Sequence, residues 1–517
     1  MAKLKEKEER EKKMSVCLVW NYARELKLLL AAFLFLSSLT LLLHFMIPSR
    51  LSSLSPSDLP AFCLSRLSST LAPAPSFSSS ISAAVTLPPP SLPSPPPPPP
   101  PSVNKDEFID GGIIKRALNP YGAAAYSFIQ MGTYRGGLNT FAIVGLASKP
   151  LHVYGRPQYE CRWIPDPDGS HKKTISTVGY KIHPDWGYGR VYTVVVVNCT
   201  FAEPVGADGS GGRLVLMAST NGGGDRDFNS TEEIEALREA PGSLNASIFT
   251  SLPPHDYLYC GSPLYGNLSP QRMREWLAYH VKLLGEKSHF VIHDAGGVHP
   301  EVLEVLKPWM EKGYVTLQDI KEQERFDGYY HNQFLVMNDC LHRYKFKAKW
   351  MFFFDVDEYI YVSPKTTIGS FLDSLSGYTQ FTFEQMPMSN KLCLAVDNGK
   401  NLRKWGFEKL VYRDVKRGVR KDRKYAVQPR NVYATGVHMS QNVAGKTLHK
   451  TDSRVKYFHY HGTIAERHEP CQQFVNITEL TFEGTPYVLD HTMRGLAASV
   501  KRFELNIIGT TLQTTPQ

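Results

Sequence analysis

The sequence predicts an α/β domain built on a parallel, nucleotide-binding sheet, preceded by a β-sandwich domain and an N-terminal membrane helix. Three features lead to this prediction: an apolar run near the N-terminus, a turn-rich middle region, and a C-terminal half in which strands and helices alternate. The 517 residues are enough for two or three domains. The net charge of +9 suits anionic substrates such as nucleotide diphosphates or acidic polysaccharide.

Residues 28–47 form an almost uninterrupted apolar run, long enough to cross a bilayer as a helix. The preceding tail, residues 1–27, carries eight Lys or Arg against five Glu, and the positive-inside rule places this tail in the cytosol. No convincing cleavage site follows the apolar run. We therefore predict an uncleaved signal anchor, with the rest of the chain in the secretory lumen, where nucleic acid is not an expected partner.

Residues 48–104 are rich in Ser, Pro and Leu and end in seven prolines, Pro95 to Pro101. Polyproline is extended and semi-rigid and cannot form a core, so this segment is predicted to be a stem. The alternative is a binding site for a proline-reading domain, which a luminal position does not favour.

Sequons and cysteines on the luminal side agree with a secretory address. Six luminal cysteines are even in number and match no zinc-binding spacing, so disulfides are expected. We predict a Cys161–Cys199 pair because both lie in one expected domain. Pro270 follows the sequon at Asn267 and weakens it as an acceptor. The sequons are at Asn198, Asn229, Asn245, Asn267 and Asn476.

Residues 105–250 are predicted to form the β-sandwich. The segment 192–197 is a strong strand, turns rich in Gly, Pro, Asn and Asp recur, and no long amphipathic helix occurs before about residue 230. Flat aromatic faces on such a domain could bind sugar rings, although for each residue taken singly core packing is the favoured interpretation. The aromatic residues concerned are Tyr154, Tyr159, Trp163, Trp186, Tyr188 and Tyr192.

Residues 251–517 alternate between strands and helices. The order predicts a parallel sheet with a nucleotide site at the carboxyl ends of its strands. Asp294 ends the second strand ahead of two glycines, where it could meet the base or ribose of a nucleotide. The predicted strands are 257–260, 289–293, 315–317 and 350–354, and the predicted helices are 270–284 (N-cap Ser269, first residue Pro270), 300–311 and 331–346.

The segment 350–362 reads Trp-Met-Phe-Phe-Phe-Asp-Val-Asp-Glu-Tyr-Ile-Tyr-Val, an apolar strand that runs into Asp355 and Asp357. Because side chains alternate along a strand, we expect the two carboxylates to point the same way. Together they could hold a hard divalent cation, and the cation a diphosphate. The alternative is an ordinary solvated pair, since Asp-x-Asp is a common tripeptide.

Several segments resemble glycosyltransferase family 92. They are Phe290-Val-Ile-His-Asp294 and Phe354-Asp-Val-Asp-Glu358, together with Trp276, His280, Gln333 and Cys340. Four further segments, 404–407, 428–431, 436–438 and 459–462, are similar to those of the plant β-1,4-galactan synthases within that family. The resemblance covers about residues 105–517.

This resemblance implies a GT-A fold, inversion at the anomeric carbon, UDP-galactose as donor, and Mn²⁺ as metal with Mg²⁺ as the alternative. It also implies a Golgi enzyme that extends β-1,4-galactan side chains of the pectin rhamnogalacturonan I, and a β domain that binds carbohydrate. It is also compatible with a homodimer. Two other functions remain: a transferase of the same fold that uses another UDP-sugar, such as UDP-arabinose or UDP-glucose, or a catalytically silent polysaccharide-binding subunit.

Metal ligands are expected from two segments of this domain, residues 355–357 and 459–461. Asp357 is the first choice, whereas Asp355 is expected to contact ribose or metal-bound water. A third ligand could come from His459 or His461, with His461 preferred, because imidazole favours Mn²⁺ over Mg²⁺. The alternative is that the two histidines form hydrogen bonds within the core or contact the acceptor sugar.

A basic run and one buried-looking carboxylate complete the expected site. The run is expected to contact phosphate or galacturonate, chiefly through Lys424 and Arg430, although such runs are usually only solvated. Glu384, in a later apolar strand, is the first candidate for the base that deprotonates the acceptor hydroxyl, ahead of Asp452 and Asp422. A paired structural role for Glu384 is the alternative. The basic run comprises Arg413, Lys416, Arg417, Arg420, Lys421, Arg423, Lys424 and Arg430.

Overall fold

The computed structural model describes most of the chain after residue 102. The predicted tail, signal anchor and nearly all of the stem lie outside the described residues. No helix in the described part is both long enough and apolar enough to cross a bilayer. The described ranges are 103–121, 126–149, 157–166, 173–184, 191–220, 230–326, 330–400, 403–415, 423–465, 467, 469–478 and 480–512.

Ten strands lie before residue 240 in the part of the chain that the structure describes. Two short strands come first, and the eight that follow make up most of residues 119–239, called here the β region. The strands are β1 (Glu107–Ile109), β2 (Ile113–Lys115), β3 (Asn119–Tyr121), β4 (Phe128–Arg135), β5 (Thr140–Ser148), β6 (Gln158–Pro165), β7 (Ile175–Ile182), β8 (Tyr192–Thr200), β9 (Gly212–Thr220) and β10 (Ser230–Glu239).

The β region is one antiparallel sheet with the strand order β10-β9-β6-β7-β8-β5-β4-β3. The expectation of two packed sheets was therefore wrong. The single sheet curls until β10 meets β4, where Gln130 Nε2 donates to the carbonyl of Ala236 at 2.9 Å. Strand twist makes this closure possible, and inward side chains from both ends then share one core.

The core of the β region contains the aromatic residues that sequence analysis weighed as sugar-binding faces. Trp163 and Tyr159 are buried with Phe141, and Tyr192 is buried on the opposite face of the sheet. Core packing was thus the correct interpretation for these three. Tyr154, Trp186 and Tyr188 lie outside the described residues. The predicted Cys161–Cys199 disulfide is present in this core, which confirms that pairing.

The rest of the structure, residues 255–512, is called the α/β region. Its strands are β11 (His255–Cys260), β12 (Ser288–Asp294), β13 (Val315–Asp319), β14 (Ala348–Phe353), β15 (Glu358–Val362), β16 (Gln380–Pro387), β17 (Leu392–Leu394), β18 (Tyr412–Asp414), β19 (Arg423–Val427), β20 (Val432–Ala434), β21 (Asn442–Val443), β22 (Thr447–Leu448), β23 (Val455–His459), β24 (Gln473–Val475), β25 (Thr481–Phe482) and β26 (Thr485–Leu489). Its helices are α1 (Pro270–Leu284), α2 (Pro300–Glu311), α3 (Gln333–Arg343), α4 (Ile368–Asp373), α5 (Gly406–Lys409) and α6 (Thr492–Ile508).

The main sheet of the α/β region has the order β1-β2-β13-β12-β11-β14-β19-β16-β23-β15. Strands β2, β13, β12, β11 and β14 are parallel neighbours, which confirms the predicted alternation of strands and helices. Strand β19 then runs antiparallel to β14. β11 and β14 are adjacent in the sheet although β12 and β13 lie between them in the chain, so the strand order reverses here. In sheets of this kind, ligands bind beyond the carboxyl ends of the strands at the point of reversal.

Strands β1 and β2 differ from the expected domain boundary. Residues 105–115 were assigned to the β domain, yet Ile114 and Lys115 pair with Gln318 and Asp319 of β13. The described part of the chain therefore starts with two strands at the edge of the α/β sheet, and the β region follows them.

Helix α1 shows how local sequence sets an element of this sheet. Ser269 caps it by accepting a hydrogen bond from Arg272 N, and Pro270 occupies the first turn, as predicted. Its inward face carries Trp276 and His280, whose rings pack against Phe354. This contact supports the chain immediately before Asp355.

Helix α3 joins the two regions through buried charges. Asp339 accepts a hydrogen bond from Arg116 Nη2 at 2.6 Å and another from the Tyr134 hydroxyl of β4. Arg343, one turn later, lies 2.9 Å from Asp106. A disulfide between Cys260 and Cys340 ties the same helix to β11. Helix α3 is thus held from both sides, with its first residue directed towards the end of β14.

Candidate active site at the carboxyl end of the parallel sheet

The Asp-x-Asp segment lies in the connection between β14 and β15. Phe353 is the last residue of β14, and the N–H of Glu358 donates to the carbonyl of Asp355 at 3.2 Å to close a turn. The expectation that Asp355 and Asp357 continue an extended strand was therefore wrong. Each carboxylate has its own hydrogen-bond partners.

Asp355 is paired with a buried cation. Its Oδ2 accepts a hydrogen bond from Lys424 Nζ at 2.7 Å, and its Oδ1 accepts one from Gln333 Nε2 at 3.3 Å. Lys424 is 2% exposed. Burial would lower the pKa of Lys424, but the charges of Asp355 and Glu358 outweigh it and hold the pKa above its usual value. The predicted donor-site residue Lys424 is therefore a fully charged cation at the end of β14.

Glu358 is a site residue to which sequence reasoning gave no role. Its side chain is buried, and Oε2 accepts a hydrogen bond from the N–H of Asp355 at 2.7 Å and lies 3.6 Å from Lys424 Nζ. Burial raises the pKa of Glu358 to about 8, although Lys424 opposes the rise. Its place directly after the Asp-x-Asp motif was the only feature of the sequence that could have indicated a role in the site.

Asp357 belongs to a second cluster, with His459 and His461. One ligand atom from each of the three side chains lies within 4.8 Å of the other two. The register of β15 against β23 pairs Glu358 with His459 and so brings the segments together. His461 lies in the turn after β23, and its ring stands nearly perpendicular to that of His459, with the centroids 5.1 Å apart.

The cluster holds Asp357 as a carboxylate. Burial would raise its pKa, but a hydrogen bond and positive charge from His459, with the N–H of Gly462, hold the pKa below its usual value. The Gly462 N–H lies 2.9 Å from Oδ2, and His459 Nε2 lies 3.5 Å from Oδ1. One carboxylate oxygen and two imidazole nitrogens suit a divalent metal such as Mn²⁺. Asp355, also predicted as a ligand, lies beside Lys424 instead.

Two more residues of this site were missed. The side-chain amide of Gln385, in β16, contacts His459 Nδ1 and so orients the ring with Nε2 towards Asp357. Tyr265 follows β11 at the point where the strand order reverses, and its ring stacks on His331 with centroids 3.8 Å apart. It is 42% exposed. Neither residue stands in a motif that the sequence alone would mark.

Two predicted donor-site residues have partners within the protein; Arg430 lies away from Asp355, and a donor contact of Asp294 remains a prediction. Arg430 lies beyond the end of β19, and because β19 is antiparallel to β14, this is the opposite edge of the sheet from Asp355. Its guanidinium donates to the carbonyls of Phe249 and Ser251, so it fastens the linker between the regions. Asp294 accepts hydrogen bonds from Gly296 N and Val298 N and pairs with Lys321 at 2.8 Å, so both its oxygens are engaged within the protein.

Two of the three candidate bases, Glu384 and Asp452, lie outside the two carboxylate clusters. Glu384 is half-exposed and 3.9 Å from Arg423, and it leaves β16 on the opposite face from Gln385. Asp452 is exposed in a turn with φ of +50°. Asp422 lies outside the described residues, as do Lys416, Arg417, Arg420 and Lys421 of the basic run. The assignment of the base therefore remains a prediction.

The sequons differ in their surroundings. Asn245, Asn267 and Asn476 are exposed, and Asn245 caps a short 3-10 helix, Ala246–Phe249. Asn198 is partly exposed within β8, and Asn229 lies outside the described residues. Glycosylation of these asparagines remains a prediction.

Comparison with known proteins agrees with this architecture. The model of glycosyltransferase family 92 matches residues 255–491, which span β11 to β26 and both site clusters. Galactan beta-1,4-galactosyltransferase GALS3 of Arabidopsis thaliana is 54% identical over 526 residues that cover 100% of each chain. GALS2 of the same plant is 52% identical, again over 100% of each chain. GALS1 is 50% identical over 77% of this chain and 79% of its own. The chain belongs to glycosyltransferase family 92, as its motifs predicted.

Proposed function

We propose that this chain transfers galactose from UDP-galactose, with inversion, to growing β-1,4-galactan side chains of the pectin rhamnogalacturonan I. We further propose that its α/β region has the GT-A fold and works in the Golgi lumen, held by a single-pass type II anchor at residues 28–47. The names of its relatives support galactose as the sugar and galactan as the acceptor. The observation that carries the proposal is the meeting of Lys424–Asp355 with Asp357, His459 and His461 where the strand order reverses.

Asp357, His459 and His461 would hold the proposed Mn²⁺, for which Mg²⁺ is the alternative. When bound, such an ion offsets negative charge on the departing diphosphate. A mixed set of one carboxylate and two imidazoles favours Mn²⁺, because Mg²⁺ prefers oxygen ligands and retains its waters.

The protein's own residues supply the rest of the donor site. Lys424, held between Asp355 and Glu358, presents a fixed cation that can form charge-assisted hydrogen bonds to phosphate oxygens. The Gly462 N–H and Gln385 fix Asp357 and His459 before substrate arrives. Preorganised groups of this kind need no rearrangement as charge develops on the leaving group.

A donor panel tests the function directly. Purified full-length enzyme receives UDP-galactose, UDP-glucose or UDP-arabinose with a β-1,4-galacto-oligosaccharide acceptor, with and without EDTA, and the product linkage is determined. We expect β-1,4 extension from UDP-galactose alone, lost in EDTA and restored by Mn²⁺. Preferred use of another donor would replace galactose in the proposal, and absence of any metal-dependent UDP release would favour the polysaccharide-binding subunit.

Glu384→Gln tests the proposed base. The substitution keeps the size of the side chain but cannot accept the acceptor's proton, so we expect turnover to fall while binding of UDP-galactose persists. Retained turnover would place the base elsewhere, in keeping with the position of Glu384 on the far face of β16.

A further inference from the structure

The β region carries an exposed apolar patch formed by Val178 and Tyr180. Val178 is 76% exposed and Tyr180 is 68% exposed, although β7 lies inside the sheet between β6 and β8. Both side chains leave β7 on the same face, because residues two apart in a strand share a face. A central strand thus presents an aromatic ring and a β-branched side chain together to solvent.

A sequon lies directly beside this patch. Asn198 of β8 is the cross-strand partner of Tyr180, so the two side chains share a face with their Cβ atoms about 5 Å apart. The sequon reads Asn198-Cys-Thr200, and Asn198 Nδ2 donates to Thr200 Oγ1 at 3.2 Å. The amide that would carry a glycan therefore stands next to the tyrosine ring.

The other side of the patch is polar. Glu160 of β6 is the cross-strand partner of Val178, and Arg162 that of Ser176. Arg162 Nε donates to Glu160 Oε1 at 2.9 Å, so an ion pair borders the patch opposite Asn198. The patch is thus apolar at its centre, with an ion pair on one side and a sequon on the other. This arrangement is complementary to a pyranose ring, which has a C–H face and polar substituents around its edge.

We propose that the first sugar of an N-linked glycan on Asn198 lies across Tyr180 and Val178. The bond between Asn198 Nδ2 and the sugar's C1 forms as a lipid-diphosphate-linked oligosaccharide loses its diphosphate, and the amide gives up a proton. The C–H face of the sugar then covers the tyrosine ring, and the polar substituents face Glu160 and Arg162. The glycan becomes part of the β sheet's outer surface. This inference uses the proposed luminal address but not the proposed transfer reaction.

The test is a double-mutant cycle on full-length protein from a eukaryotic secretory host. Tyr180→Ala removes the ring, and Thr200→Ala removes the sequon while keeping Asn198. Mass spectrometry of glycopeptides first records occupancy at Asn198. We expect Tyr180→Ala to lower Tm by roughly 2–4 °C in the glycosylated protein, the shift typical of a modest contact in a large domain. We expect no shift in the Thr200→Ala background.

Ser247→Ala is the matched control, because it removes the sequon at Asn245 and leaves the Asn245 side chain in place. Tyr180→Ala should keep its full effect in that background. A second readout is glycan processing: a sugar held against the ring resists trimming, so Tyr180→Ala should increase processing at Asn198 alone.

Four outcomes would overturn the proposal. They are an unmodified Asn198, an equal loss of Tm with and without the sequon, a change in oligomeric mass on Tyr180→Ala, and a loss of galactan binding on Tyr180→Ala in the unglycosylated protein. The last two would assign the patch to a second copy of the chain or to free polysaccharide. Galactose transfer is measured separately, so failure of the proposed function leaves this test intact.

Discussion

The β region and the α/β region bury different kinds of side chain. Among the described residues, the buried polar residues of the β region are Ser127, Gln130, Ser148, Thr193 and Thr220, and its best-buried charged side chain is Arg135, 6% exposed and paired with Glu239. The α/β region buries charged or titratable groups throughout, among them Arg274, Glu275, His280, Asp339, Glu358, Lys424 and Glu504. Burying a charge is costly unless it is paired. The β region is thus stabilised mainly by apolar packing, whereas the α/β region carries more of these costly groups, among them Glu358 and Lys424 beside Asp355.

The strongest test of this comparison is Asp357→Ala. Removing the carboxylate takes one member from the proposed metal cluster, so we expect galactose transfer to fall on the order of 10³-fold, comparable to the loss of a key electrostatic group in other enzymes. Folding should persist, because the cluster lies at the end of the sheet. Transfer assays and circular dichroism measure the two effects. Asp373→Ala, an exposed carboxylate at the end of α4, is the control, and wild-type transfer by Asp357→Ala would refute the assignment.

Asp339→Asn tests whether the buried charges between the regions are needed for stability. The substitution removes the fully buried anionic partner of Arg116, whose side chain is 1% exposed, and leaves it paired with the partly exposed Asp106. Breaking a buried pair from one side costs about 3 kcal/mol or more, which urea unfolding would record. Glu160→Gln breaks an exposed pair of the β region and should change stability by less than about 1 kcal/mol. Similar losses in the two variants would contradict the distinction between the regions.

The sequence predicted those parts of the two regions that depend on local pattern. Ser269 and Pro270 mark the start of α1, and the apolar run before Asp355 marks β14, because capping and periodicity act within a few residues. The predicted pairing of Cys161 and Cys199 required only that both belong to one domain.

Features that depend on pairing between distant strands were not predictable. Arg430 was assigned to the donor site as a member of the basic run, but β19 is antiparallel to β14 and carries Arg430 to the opposite end of the strands from Asp355. Alternation likewise marks which residues of a strand face inward but not which strand pairs with which, so the curled single sheet was taken for a sandwich. The exception is the meeting of Asp357 with His459 and His461, which was expected from their chemistry as metal ligands, although no local pattern encodes the register of β15 and β23 that produces it.

Acid should weaken the α/β region before the β region. His280 is fully buried, and its Nε2 accepts a hydrogen bond from the N–H of Ile360 while Nδ1 donates to the carbonyl of Trp276. Burial lowers its pKa to about 3. The unfolded chain, with a histidine pKa near 6.5, therefore binds more protons as pH falls, and the stability that neutral His280 provides above about pH 6.5 is progressively lost below it.

The expected loss at His280 alone is about 2 kcal/mol between pH 7 and pH 5. Hydrogen exchange would locate it: amides of β11, β14 and β15 should lose protection at pH 5 while those of β5 and β8 keep theirs. Equal loss of protection in both sheets would show that acid sensitivity is not confined to the region with buried histidines.

Two buried or partly buried glutamines, one in each region, give the finest comparison. Gln385 orients His459, so Gln385→Leu should lower transfer roughly 10-fold and weaken Mn²⁺ activation, the usual cost of losing a group that orients a metal ligand. Gln130 of β4 donates to the carbonyl of Ala236. Gln130→Leu should cost about 1 kcal/mol of stability and leave transfer unchanged, because that hydrogen bond only closes the curled sheet. Metal-titrated transfer rates and urea unfolding of both variants separate the two roles. If Gln130→Leu lowered transfer, or if Gln385→Leu left it unchanged, the two glutamines would not have the separate roles proposed here, one in closing the sheet and the other in building the site.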